Sequence, residues 1–80
     1  MTNEAILEKV RSIVAEVSEV EVARVTLESS PTNLEEWDSL AQVNIVLSLE
    51  QEFGHQFSPE QIERMVSVEK ILEVLTARPA

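Results

Sequence analysis

Apolar residues recur at helical spacing through most of this chain, and that periodicity limits it to one fold class. Ile6, Leu7, Val10, Ile13, Val14 and Val17 fall at steps of 1, 4, 7, 8 and 11 from the first, the stripe of one α-helical face. The spacing predicts a helix over 3–18, capped by Thr2 or Asn3, with Glu4 at the positive end of its dipole. Leu40, Val43, Val46, Leu47 and Phe53 repeat the pattern over 39–53, with Ile45 and Leu49 apolar as well. More than half of that helix's circumference is therefore apolar. One side must be buried and another is left to face outward. Gly54 is suited to the left-handed turn that ends such a helix. Ser58-Pro59-Glu60-Gln61 is a start signal: a serine cap, proline at the first helical position and glutamine three residues on. The short helix it opens ends near Met65. Ser67 caps a last helix with Val68, Ile71, Leu72 and Leu75 on one face, stopped by Pro79.

Residues 19–38 fit the pattern least. Val20, Val22, Val25 and Leu27 partly alternate with polar residues, as in a strand, but a lone strand has no partner to pair with. The segment is read as an extended connection pinned by its valines and Leu34. A turn is expected at Ser30-Pro31, with a helical turn near Asn33–Glu36 capped by Thr32 or Asn33. The expected architecture is all-α: a four-helix bundle with a long first loop and a short third helix. The long loop lets the first two helices pack roughly parallel.

Composition narrows the function classes. Eighty residues make one domain, expected to span 1–80. A chain this short buries only about 60% of its unfolded surface, which leaves little room for a deep catalytic cavity. Cysteine is absent, so disulfides and thiolate metal sites are excluded. One histidine, His55, makes no metal cluster, and one glycine, Gly54, makes no phosphate-cradling loop. The net charge of −9 repels nucleic acid and anionic membrane and attracts basic partners. No apolar run approaches the roughly 20 residues of a membrane span, and MTNEAILEKV lacks the order of a signal peptide. The expectation is a cytoplasmic, monomeric protein that binds neither nucleic acid nor membrane. It begins at methionine, ends soon after its last helix and has no visible linker, so it is read as free-standing.

Asp38-Ser39 opens the second helix. Either side chain can cap it, and only one of them can do so. A serine there is exposed where the chain turns, and the unpaired N–H groups of the first turn suit an anion.

The order of elements, the acidic charge and the DSL at 38–40 resemble the acyl carrier protein family, which includes peptidyl carrier proteins. The likeness covers nearly the whole chain. WDSLAQVNIVLSLEQEFGHQFSPEQI resembles the family's second and third helices, including the Glu52-Phe53 pair, and SVEKILEVL resembles its fourth. The resemblance implies that Ser39 carries 4′-phosphopantetheine, transferred from coenzyme A by a phosphopantetheinyl transferase. It implies that the arm's thiol holds cargo as a thioester, and that Asp38 serves the transfer step. It implies no catalysis by the chain itself.

Partner-facing positions follow from the same resemblance. Leu40, Val43 and Leu47 lie on one stripe that in the family faces partner enzymes or the cargo's entry route; the other reading of these residues is core. Asn44 is assigned beside them. Met65 and Val66 are either groove residues beside the arm or ordinary core. Trp37 is either a plug that seals the loop onto the bundle or an anchor for a partner.

The chain also departs from the family's fatty-acid members. Ala41, Gln42, Asn44 and Gln51 are uncharged where those members carry acid, and tryptophan precedes the aspartate. These departures imply a specialised pathway, polyketide-like or nonribosomal-peptide-like. The expected partners are the transferase, an acyl- or aminoacyl-loading enzyme and downstream synthases or transferases. Two other classes stay open. One is an acidic helical adaptor for a basic partner, with no covalent cofactor. The other is a small hydrolase in which His55 activates Ser39.

Overall fold

The structure, a computed structural model, describes residues 3–76. Its helices begin and end where local chemistry directs. The first, α1, runs Asn3–Ser18 with Val10 and Val14 wholly buried. The expected caps at Thr2 and Asn3 and the stop at Pro79 lie outside the described residues and side chains. At its C-terminus Glu19 takes a left-handed conformation with φ 59°. There the Val20 N–H donates to Ala15 O at 3.0 Å and the Glu19 N–H to Glu16 O at 3.3 Å. That is the Schellman arrangement, in which glycine is normally preferred over a residue with a Cβ. Glu19→Gly is therefore expected to stabilise the protein by about 0.5–1 kcal/mol. A denaturant midpoint unchanged or lowered by the substitution would contradict this.

The second helix, α2, runs Ser39–Phe53 and buries Ala41, Ile45, Val46 and Leu49. It stops at Gly54, which has φ 60° and whose N–H bonds to Glu50 O. The Glu50 carboxylate then accepts from the Phe57 N–H at 2.9 Å and holds the following turn in place. The capping box of α3, Pro59–Arg64, is complete: the Gln61 N–H donates to Ser58 Oγ and the Ser58 N–H to Gln61 Oε1. The last helix, α4, runs Val68–Thr76, and Ser67 Oγ accepts from the Lys70 N–H at 3.1 Å. The described residues contain these four α-helices and no strand, so the chain is an all-α bundle. Packing is carried by α1 against α2 and α4, and by α3 against α4.

The first loop differs from expectation in three ways. Val22–Arg24 form a short 3₁₀ helix where an extended chain was expected. The Arg11 fork on α1 explains it, donating from Nε to Val25 O at 2.7 Å and from Nη2 to Val22 O at 3.0 Å. A guanidinium satisfies two carbonyls that a lone extended segment would leave unpaired. Secondly, of the loop's valines only Val25 is wholly buried, with Val20 packed against the core, and Val22 and Leu27 are exposed, so Val25, Leu34 and Trp37 pin the loop. Thirdly, the turn at Ser30-Pro31 forms, with Leu34 N–H on Ser30 O at 2.9 Å, and a single turn follows it, with Trp37 N–H on Leu34 O at 2.9 Å, but neither Thr32 nor Asn33 caps it. The Asn33 side chain accepts from the Ser30 N–H and donates to Glu28 O instead. The loop also reaches α4: Val68 and Glu69 donate their N–H groups to Ser29 O and Leu27 O. Loop carbonyls thus fill the helix-end donors that Ser67 leaves open.

Candidate functional site

The contest between Asp38 and Ser39 for the cap of α2 goes to the aspartate. Asp38 has extended backbone, and its Oδ1 accepts from the Ala41 N–H at 2.8 Å. Ser39 is thereby the first residue inside the helix. Its side chain is exposed, and its hydroxyl has no hydrogen bond among the described residues. The N–H groups of Ser39 and Leu40 precede the first intrahelical bond, and no acceptor among the described residues takes them. A free hydroxyl beside free N–H donors at a positive helix end suits an attached, negatively charged phosphodiester. The capping bond turns the Asp38 carboxylate toward the helix backbone.

Ser39 opens onto a groove of about 540 Å³ between α2 and α3, with Gln42, Ile62 and Val66 along it. Glu35, Asp38 and Glu63 sit on the rim. Glu36, just outside, has its carboxyl held below the usual range, first by a backbone N–H bond and then by the Arg24 guanidinium. The Arg24–Glu36 contacts, at 3.3 and 3.4 Å, are exposed and add little stability.

Sequence reasoning missed Gln42, treating it only as a missing acid. Its side chain accepts from Trp37 Nε1 at 2.6 Å and donates to Met65 O at 2.9 Å. One amide, a single turn past Ser39, therefore ties the loop before α2 to the end of α3. Only the position of Gln42 beside the DSL triplet marked it out.

The expected partner-facing residues divide. Leu40 is 71% exposed, Val43 55%, Leu47 51% and Val66 52%, and Asn44 is exposed too. These form an apolar face running from Ser39 along α2. Trp37 and Met65 do not belong to it; they are 1% and 0% exposed. Trp37 plugs the loop onto the bundle, because its large apolar area gains most from burial and Gln42 satisfies its one donor. Met65 closes the core at the end of α3. The two acids late in α2 are both engaged internally: Glu50 with the Phe57 N–H, and Glu52 with Lys9 of α1. The exposed side of α2 thus carries Leu40, Val43 and Leu47 beside the uncharged Asn44, and its two late carboxylates both have partners within the chain.

His55 follows α2 and sets its ring edge-on to Phe57, with centroids 4.9 Å apart. Ser39 begins the same helix, so about 20 Å of helix separates hydroxyl from imidazole. That separation removes the hydrolase reading, which needs them in hydrogen-bond reach. No helix of the described residues is long and apolar enough to cross a membrane.

Residues 8–75 match the family model described as the phosphopantetheine attachment site. Curated relatives span nearly the whole chain. An acyl carrier protein of Coprothermobacter proteolyticus is 33% identical, covering 94% of this chain and 92% of its own. One of Petrotoga mobilis is 32% identical over 98% of this chain and 92% of its own. One of Thermosynechococcus vestitus is 34% identical over 100% and 99% respectively.

Proposed function

The chain belongs to the phosphopantetheine-attachment family of acyl carriers, and from that premise we propose that its covalent 4′-phosphopantetheine is attached at Ser39. The observation that carries this assignment is the capping bond of Asp38, which leaves the Ser39 hydroxyl exposed and unbonded at a helix N-terminus. When bound, the arm supplies a terminal thiol that holds an acyl group as a thioester. The chain's own residues do the rest. The first-turn N–H groups of α2 offset the charge of the phosphodiester. Asp38 holds the helix start in place and presents a carboxylate beside the hydroxyl to the phosphopantetheinyl transferase. The chain contributes no catalysis: its Ser39 hydroxyl and the arm's thiol take up the transferred groups, and the catalytic groups belong to the enzymes that load and unload the arm. After transfer from coenzyme A, fragmentation of the tryptic peptide 25–64 should place the arm on Ser39. Placing it on Ser29, Ser30, Ser48 or Ser58 of that peptide, or on the peptide holding Ser67, would overturn the assignment.

The partner face is read as apolar. Leu40, Val43, Leu47 and Val66 are exposed around Ser39, while Glu50 and Glu52 are held by internal contacts. This supports partners that read shape and apolar area more than charge, and through them a specialised pathway, of the polyketide or nonribosomal-peptide kind, as the carrier's context. Leu47→Ala should then weaken binding of the loading enzyme about tenfold, while raising salt changes it little. A steep loss of affinity with salt, with little effect of Leu47→Ala, would contradict this reading.

A further inference from the structure

Four of the cationic side chains among the described residues have carboxylate partners: Lys9 with Glu52, Arg11 with Glu8, Arg24 with Glu36 and Lys70 with Glu73. Arg64 has neither an ion pair nor a hydrogen bond to its guanidinium among the described residues, although the chain has a net charge of −9. It stands over a second groove, of about 510 Å³, between α3 and α4. Val66 and Val74 give that groove apolar walls, and Arg64, Lys70 and Glu73 are its charged lining. The Lys70–Glu73 contact is long, at 3.5 Å, and both side chains are more than half exposed, so Lys70 is only loosely held.

The two grooves share a wall. Val66 lines both the one that opens at Ser39 and the one under Arg64. Their charges differ. Glu35, Asp38 and Glu63 line the Ser39 groove with no cation beside them, whereas in the far groove Arg64 and Lys70 outnumber one carboxylate, Glu73, which is paired with Lys70 and leaves Arg64 free. Anything tethered at Ser39 and long enough to pass Val66 leaves a groove lined by three carboxylates for one in which cations outnumber the single carboxylate.

We propose that the α3–α4 groove receives the distal end of an acyl cargo that ends in a carboxylate. The proposal rests on the reading of Ser39 as the attachment point. The aliphatic part of the cargo lies along Val66 and Val74. Its carboxylate takes the Arg64 guanidinium, whose forked donors match that geometry, with Lys70 beside it. The tether makes this encounter intramolecular, so a weak site is enough to be occupied. The carboxylates near Ser39 repel the same end and bias it outward. An uncharged acyl end lacks the ionic contact, and an ammonium end is drawn to the opposite mouth.

The test compares two arms of equal carbon count, adipoyl and hexanoyl, transferred onto the protein from their coenzyme A thioesters, with intact mass used first to verify loading. Valine-methyl and arginine side-chain NMR spectra are then recorded. The adipoyl form should shift Val66, Val74 and the Arg64 Nε–H relative to the hexanoyl form. The differences should shrink with added salt and vanish in Arg64→Gln/Lys70→Gln, which substitutes exposed residues and should fold normally. Identical spectra for the two loads, or differences that persist in the double variant, would overturn the proposal. Failure to gain either arm would instead overturn the attachment reading beneath it.

Discussion

Trp37→Ala is expected to lower stability by about 3–5 kcal/mol, the largest loss from any single substitution considered for this protein. The indole is 1% exposed and fills the space between the first loop and the bundle. Its removal leaves a cavity and deprives Gln42 Oε1 of the donor 2.6 Å away. A domain of this size has only about 5–15 kcal/mol in total, so the variant should be close to unfolding at ambient temperature. Trp37→Phe separates the two contributions. It keeps most of the apolar contact, loses the N–H, and should cost about 1–3 kcal/mol. In the unsubstituted protein, tryptophan emission should be blue-shifted and protected from a soluble quencher. A red-shifted, readily quenched signal, or a loss below 1 kcal/mol in Trp37→Ala, would return Trp37 to the partner surface.

The consequence reaches the site. Gln42 joins Trp37 to Met65 O one helical turn from Ser39. Loosening the plug therefore loosens the seam between α2 and the end of α3, which forms the wall of the groove at Ser39. Transfer of the arm should suffer in Trp37 variants even though the indole does not face a partner.

What the sequence revealed and what it hid divide by distance along the chain. The starts of α3 and α4 and the end of α2 were legible because their signals are local. Ser58 and Gln61, Ser67, and Gly54 each act within a turn of their own position. The outward stripe of Leu40, Val43 and Leu47 was legible as a surplus of apolar residues over what one buried face can take. The first loop was not. Its 3₁₀ helix depends on Arg11, 14 residues from Val25, and its grip on α4 depends on the carbonyls of Leu27 and Ser29. Alternating valines there imitate a strand, yet only Val25 is wholly buried. Gln42 was overlooked for the same reason: its bond to Met65 O spans 23 residues, and spacing carries no trace of it. Trp37 was ambiguous by type, since a large aromatic serves a core or an interface equally well. The Gln42 amide that makes its burial affordable became visible only in three dimensions.

Ser39 is read as an attachment point and not a cap. That reading is tested most directly by intact mass after incubation with coenzyme A, magnesium and a promiscuous phosphopantetheinyl transferase, with Ser39→Ala alongside. Because Asp38 supplies the cap and the Ser39 hydroxyl bonds nothing among the described residues, Ser39→Ala should unfold within about 0.5 kcal/mol of the unsubstituted protein. Any loss of loading then cannot be ascribed to misfolding. The expected result is a gain of one arm in the unsubstituted protein and none in Ser39→Ala. No gain in either folded protein, or an equal gain in both, would contradict it, and the first of these results would leave an acidic helical adaptor without a covalent cofactor.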